Sequence, residues 1–182
     1  MKKLLTIIFT LFLLPTNNLI GQNKENLMGI EIGKIAPEIE LPTVNGDNFE
    51  LSQLRGKVVL LSFGASWCAP CRKKSPELIE LFKKYGNADF DDGEKGFDIV
   101  SVSLDRNKIA WKNSIEKDGT SGLVNVGDMN GWKCAAAITY HIKSIPSNVL
   151  LNGEGKIIAI NLSPQDLNKK LKQMKKGGWP WF

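Results

Sequence analysis

The segment that decides the fold reads Val58-Val59-Leu60-Leu61-Ser62-Phe63-Gly64-Ala65-Ser66-Trp67-Cys68-Ala69-Pro70-Cys71. Its first six residues form the apolar run typical of a buried strand. The pattern after it predicts an α-helix over residues 69–85, with Pro76 inside the helix, where a kink is expected because proline removes a backbone donor. The segment therefore predicts a strand that leads directly to a helix beginning at the two cysteines.

Cys68 is predicted to lie at the N-terminus of this helix. Unpaired backbone N–H groups and the positive end of the helix dipole meet there, and both stabilise a thiolate, the form of cysteine that attacks disulfides. Cys71 is close enough to form a disulfide with Cys68 or to resolve a mixed disulfide. We expect Cys68 to be the nucleophile and the more exposed sulfur. The pattern indicates thiol–disulfide exchange.

The N-terminal residues predict an exported protein. Lys2 and Lys3 precede an apolar run, residues 4–14, which at about 1.5 Å per residue is too short for a hydrocarbon core of roughly 30 Å. Residues 1–21 are therefore interpreted as a signal peptide, with an uncleaved membrane anchor as the alternative. Residues 22–29 are predicted to be a flexible leader and residues 30–182 one domain, in the periplasm or cell envelope.

Charge and cysteine content exclude several classes of protein. The chain carries 24 Lys and Arg against 19 Asp and Glu, and the predicted signal removes two of the lysines. The remaining excess is small and scattered, so no nucleic-acid partner is expected. Three cysteines are too few, and odd in number, for a disulfide-stapled scaffold. Cys134 is expected to be a buried spectator.

The rest of the chain alternates strand and helix signals. A hairpin is predicted around Asn45-Gly46, before the first buried strand. Further strands are predicted at 99–104, 123–126, 147–151 and 156–160, and helices at about 108–117, at about 132–140 and after Ser163. This order predicts an α/β fold with a mixed central sheet, helices on both faces and an added N-terminal β-hairpin.

These residues resemble the thioredoxin-like superfamily and, within it, the exported TlpA/ResA-type thiol–disulfide oxidoreductases of bacteria. The resemblance covers roughly residues 33–176. It is carried by Trp67-Cys68-Ala69-Pro70-Cys71 after a strand and by Ser144-Ile145-Pro146 before a later one. It implies that Pro146 is cis and lies against the sulfurs, and that the backbone of Ile145 pairs with an extended substrate. The implied substrate-docking residues are Trp67, Ala69, Pro70, Ile145 and Pro146.

The resemblance also implies the partners. It predicts a monomeric enzyme without cofactor or metal that reduces disulfides of exported proteins, such as apocytochromes or other cell-envelope proteins, with oxidation of dithiol proteins as the alternative direction. A membrane redox partner would supply the electrons. The buried acid found in many members is absent, because its two positions are Ser62 and Lys74 here. Proton transfer is therefore expected to use water or a more distant glutamate, Glu77 or Glu80. Gly64 replaces an aromatic residue and should open space behind the active site.

A second interpretation uses an overlapping set of residues. Copper chaperones of this same fold bind metal through two cysteines and a histidine, and His141 is the only histidine here. Cys68, Cys71 and His141 could therefore carry copper or zinc, although the chaperones have a CxxxC spacing rather than CxxC. A redox-inert interaction domain is a third interpretation, and the intact cysteine motif argues against it.

Overall fold

The computed structural model describes residues 30–177. The predicted signal peptide and leader, residues 1–21 and 22–29, lie outside the described residues, as do residues 178–182. Within the described part, three short 3-10 turns, Leu51–Leu54, Thr120–Gly122 and Gly131–Lys133, accompany the regular elements. The regular elements in chain order are β1 (Glu40–Pro42), β2 (Asn48–Glu50), β3 (Val58–Gly64), α1 (Ala69–Tyr85), β4 (Phe97–Ser103), α2 (Lys108–Lys117), β5 (Val124–Val126), α3 (Ala135–Thr139), β6 (Ser147–Leu151), β7 (Ile157–Ile160) and α4 (Pro164–Met174).

The strands form the mixed sheet and the hairpin that the sequence predicts. The five-stranded sheet has the order β5-β4-β3-β6-β7. β3, β4 and β5 are parallel, whereas β6 runs antiparallel to both β3 and β7. β1 and β2 form a separate antiparallel pair. β3 occupies the centre of the sheet because its apolar residues are buried on both faces, with Val58, Val59, Leu60 and Leu61 at most 3% exposed.

Each face of the sheet has its own apolar cluster. Val59, Leu61 and Phe63 of β3 pack with residues of the β1–β2 hairpin and of α3. Val58 and Leu60 point to the opposite face, since side chains alternate along a strand, and they pack with residues of α1 and α4. Helices therefore cover both faces, as predicted. Among residues 30–177, no helix is both long enough and apolar enough to cross a membrane.

The helix predicted over about 132–140 is wrong in its extent. A 3-10 turn, Gly131–Lys133, is followed by an extended Cys134, and only Ala135–Thr139 is α-helical. The cause is Asp128, whose carboxylate accepts hydrogen bonds from the backbone N–H groups of Asn130 and Ala135 at 3.0 Å each. These two bonds form a turn before the helix and cap the N-terminus of α3 at Ala135.

Candidate active site

Cys68 and Cys71 form a disulfide at the start of α1. β3 and a short turn deliver Cys68 to the N-cap position, and the Cα atoms of the two cysteines lie 5.3 Å apart. The sulfur of Cys68 accepts a hydrogen bond from the backbone N–H of Cys71 at 3.2 Å. Pro70 lies in the first turn of the helix, where a missing N–H costs little. The predicted helix N-terminal position of Cys68 is confirmed.

The expectation that Cys68 is the more exposed sulfur is wrong for this oxidised form. Cys68 is buried, with only 5% of its surface exposed, whereas Cys71 is partly exposed. The turn before Cys68 is closed by a hydrogen bond from the N–H of Cys68 to the carbonyl of Ala65 at 3.0 Å. Cys71 instead faces β3: a Cβ atom placed on Gly64 would lie 3.6 Å from the Cys71 sulfur. The nucleophile assignment therefore rests on the helix N-terminus and not on exposure.

Asp105 anchors the loop that carries Cys68. This carboxylate is 2% exposed and accepts hydrogen bonds from Ser66 N at 2.9 Å, Ser66 Oγ at 2.6 Å and Ser103 Oγ at 2.8 Å. Gly64 and Ser103 are paired in the β3–β4 register, so the residues following both strands meet at one edge of the sheet. The sequence patterns predict no role for Asp105, although an acid directly after a buried parallel strand can indicate a functional site.

The residues implied to dock substrate lie around the disulfide. The Ile145–Pro146 peptide bond is cis, as predicted, and Pro146 lines the same cavity as Cys71. The backbone of Ile145 makes no hydrogen bond within residues 30–177, so its N–H and C=O are available for pairing. Ala69 and Pro70 are exposed in the first turn of α1. The first-turn surface and the Ile145 backbone are therefore both left uncovered by the rest of the described residues.

An aromatic pair adjoins Cys68. Trp67 is 56% exposed and Trp132 is 43% exposed, and their ring centroids are 6.3 Å apart. Trp132 belongs to the 3-10 turn Gly131–Lys133 and not to the helix predicted over about 132–140. The pair adds an exposed apolar surface next to the disulfide, and aromatic residues at such positions often dominate protein recognition.

The space expected behind the active site is present. A cavity of about 90 Å³ lies beside Cys71, and Gly64, Ser62 and Lys74 are among its lining residues. The two positions where related proteins are expected to carry an acid therefore do face the disulfide region. Glu77 and Glu80 are exposed on α1, and Glu77 accepts a hydrogen bond from Gln165 at 2.6 Å.

Cys134 and His141 lie apart from this chemistry. Cys134 is a free, fully buried thiol, and burial raises its pKa, with a smaller contribution in the same direction from the nearby carboxylate of Asp128. His141 is exposed just after α3, with φ of 51°. No group of three or more His, Cys, Asp or Glu side chains within residues 30–177 is arranged to hold a metal ion. The structure thus does not bring Cys68, Cys71 and His141 together as a metal site.

Comparison with known proteins agrees with this geometry. A family model described as thioredoxin-like matches residues 56–157, which contain the disulfide and Pro146. The chain belongs to the thioredoxin-like family. It is 33% identical over 129 residues to the thiol-disulfide oxidoreductase ResA of Bacillus thuringiensis strain Al Hakam, covering 71% of this chain and 68% of that protein. ResA of Bacillus subtilis strain 168 is 32% identical over 143 residues, covering 79% and 72%.

The structural neighbours extend the same family. A solved structure of a thiol-disulfide oxidoreductase from Bacteroides fragilis NCTC 9343 is 35% identical and matches with a TM-score of 0.68, covering 77% of this chain and 98% of that one. This thioredoxin-like protein is therefore a thiol–disulfide oxidoreductase with a Cys68–Cys71 pair.

Proposed function

We propose that this oxidoreductase reduces disulfides of exported proteins, with Cys68 as nucleophile and Cys71 as resolving thiol. The observation that carries the proposal is the position of the Cys68 sulfur, which caps a 17-residue helix and accepts the N–H of Cys71. In the reduced protein the same N–H and the helix dipole would stabilise a Cys68 thiolate. A stabilised thiolate is the attacking species in disulfide exchange.

The reaction moves two electrons in two exchange steps. The Cys68 thiolate attacks one sulfur of the substrate disulfide, and the other substrate sulfur leaves as a thiolate and takes a proton. The Cys71 thiolate then attacks the Cys68 sulfur, which closes the Cys68–Cys71 disulfide and releases the second substrate thiol. The product is the oxidised pair present in this structure. A membrane redox partner would return two electrons and two protons to this pair.

Substrate docking uses the backbone beside Pro146. The unpaired N–H and C=O of Ile145 suit an extended peptide that adds like a strand. Trp67, Ala69 and Pro70 present the neighbouring exposed surface. This arrangement recognises backbone more than side chains, which supports a set of protein substrates rather than one small molecule.

Export and the direction of electron flow rest on the sequence. The basic N-terminal residues and the apolar run over residues 4–14 support secretion to the periplasm or cell envelope. The resemblance to exported oxidoreductases that have an upstream membrane reductase supports the reducing direction. We propose that the protein acts there as a monomer on disulfides of apocytochromes or other cell-envelope proteins.

Two variants that each lack one active-site cysteine test the roles of the two sulfurs. Cys71→Ser should attack a disulfide-bonded protein such as insulin once and accumulate as a mixed disulfide, detected by mass spectrometry after acid quenching. Cys68→Ser should form no such adduct and should not turn over, because Cys71 lies within the first turn of α1 and lacks the N-cap position that stabilises the Cys68 thiolate. Cys134→Ser is the matched control and should turn over like the parent. Trapping by Cys68→Ser, or normal turnover by Cys71→Ser, would contradict the assignment.

A further inference from the structure

One face of the central sheet changes character from apolar to polar as it approaches the disulfide. Leu60 is paired with Ile99 on β4 and with Leu150 on β6, and all three are buried beneath α1 and α4. Two residues further along β3, on the same face, lies Ser62, and the residues paired with it across the sheet are also polar. In their order across β5, β4, β3 and β6, the four residues of this polar row are Asn125, Ser101, Ser62 and Asn148.

This polar row borders the cavity beside Cys71. All four of its residues line the cavity, together with Gly64 and the Cys71 side chain. Gly64 lies two residues beyond Ser62 on the same face, so it continues the row towards the sulfur. The absence of a side chain at Gly64 leaves the Cys71 sulfur open to the cavity, since a Cβ atom there would meet it at 3.6 Å.

The row offers more hydrogen-bonding capacity than the protein uses. Asn125 is 5% exposed, and its Oδ1 has no hydrogen-bond partner within the described residues, while its Nδ2 donates to the carbonyls of Thr120 and Leu123. The hydroxyl groups of Ser62 and Ser101 make no hydrogen bond within residues 30–177. Buried polar atoms without a protein partner are usually satisfied by water. A water needs about 10–15 Å³ of such a cavity, so about 90 Å³ has room for several.

The charged groups at the cavity leave no carboxylate free for proton transfer. Both carboxylate oxygens of Asp105 accept hydrogen bonds, from Ser66 and Ser103. The guanidinium of Arg72 donates two hydrogen bonds to the Asp118 carboxylate, the shorter at 2.5 Å, and this hydrogen bonding to Asp118 raises the pKa of Arg72. Lys74, also in the lining, is a cation. No other ionisable side chain of residues 30–177 lines this cavity besides the Cys71 thiol.

We propose that the cavity is an internal hydration site, and that its water, held by Asn125, Ser62 and Ser101, carries the proton of the Cys71 thiol in place of the buried acid. This inference rests on the proposed function and assigns the three polar residues a positioning role. Water can take this part because it accepts and donates protons and bonds to every polar group of the row.

The proton step balances within the resolving reaction. The S–H bond of Cys71 breaks and its proton passes to cavity water and on to bulk solvent. The electron pair of the Cys71 sulfur forms the bond to the Cys68 sulfur, and the mixed disulfide breaks. Its electron pair leaves on the substrate sulfur, which takes a proton from solvent. No oxidant or reductant beyond the substrate disulfide is needed.

A single-thiol protein isolates this step from substrate turnover. With Cys68→Ser and Cys134→Ser, Cys71 is the only cysteine, and its alkylation by iodoacetamide is followed against pH. Adding Gly64→Ala places a methyl group between the sulfur and the water at ordinary van der Waals distance, so the protein should fold. Lost hydration disfavours the thiolate. The midpoint should therefore move up by about one pH unit and the rate at pH 7 should fall about tenfold, with the high-pH plateau unchanged.

A second glycine provides the control for the Gly64→Ala substitution. Gly122→Ala meets nothing within 4 Å and should leave the profile unchanged. An unchanged profile for Gly64→Ala, or a lowered plateau that indicates blocked access, would overturn the proposal. A crystal structure of the reduced protein should show water within hydrogen-bond distance of Asn125 Oδ1, and a dry cavity would also overturn it. If the trapping experiment alone failed, the proposed function and not the hydration site would be wrong.

Discussion

Replacing Asp105 tests how the active-site loop is held. Asp105→Ala removes the acceptor of three hydrogen bonds and leaves Ser66 N, Ser66 Oγ and Ser103 Oγ without their buried partner. Hydrogen bonds to a charged group contribute about 1.5–3 kcal/mol each. They are not additive among contacting groups, and cavity water can replace part of the loss. We therefore expect a destabilisation of about 3 kcal/mol, well below the sum of the three.

Thermal unfolding of the oxidised protein measures this loss. For a chain of this size about 3 kcal/mol corresponds to a lowering of Tm by roughly 6–12 °C. Asp105→Asn should cost less, because the amide retains one acceptor oxygen and the serine hydroxyls can rotate. Asp92→Ala is the matched control, since Asp92 is exposed and surface substitutions usually stay within about 0.5 kcal/mol. A Tm for Asp105→Ala within about 2 °C of the parent would refute the anchoring role of this carboxylate.

Three further predictions concern the surface and the buried thiol. Trp132→Ala should slow the reduction of insulin several-fold and leave the reduction of hydroxyethyl disulfide unchanged, because only a substrate as large as a protein contacts the Trp67–Trp132 pair. Ile109→Ala, which alters another exposed apolar side chain, is the control and should change neither rate. Mass mapping of the oxidised protein should show Cys134 unlinked, and its linkage to an active-site cysteine would contradict its role as a spectator. Stability to urea should decline above about pH 9, because burial raises the pKa of both Cys134 and Tyr140 in the folded protein. The unfolded chain releases these protons at lower pH, so the stabilisation is complete below the ordinary pKa values and is lost as pH rises. Tyr140→Phe should flatten this decline, and an equal slope would contradict the assignment.

The sequence predicted the elements whose signals are local. The bounds of α1 and α2 match the predicted 69–85 and 108–117. Each has its capping group in the adjacent sequence: Cys68 for α1, and for α2 Asn107, which accepts from Ile109 N and Ala110 N. The helix over 132–140 was overextended because its start is set by Asp128, several residues before it. No periodicity of apolar residues reports such a contact.

The features of the active site also divide into those predicted from local sequence and those that depend on tertiary contacts. The cysteine pair and the cis Pro146 follow from short motifs and the family resemblance. The Asp105 anchor and the Trp67–Trp132 pair depend on which loops meet in three dimensions. The polar row depends on the register between strands that lie far apart in the sequence. The burial of Cys68 likewise follows from tertiary hydrogen bonds of its loop, so helix position alone gave the wrong order of exposure.

The reduction potential of the Cys68–Cys71 pair distinguishes a reductase of protein disulfides from an oxidant. The full-length protein is equilibrated in glutathione redox buffers, quenched by alkylation, and its reduced fraction is measured by mass spectrometry, with Cys134→Ser as a control that should give the same potential. A reductase of exported proteins predicts a value near that of thioredoxin, about −270 mV. A value of about −120 mV, as for a strong oxidant, would show that the protein is not a reductase, because the pair would then accept electrons from its partners instead of donating them.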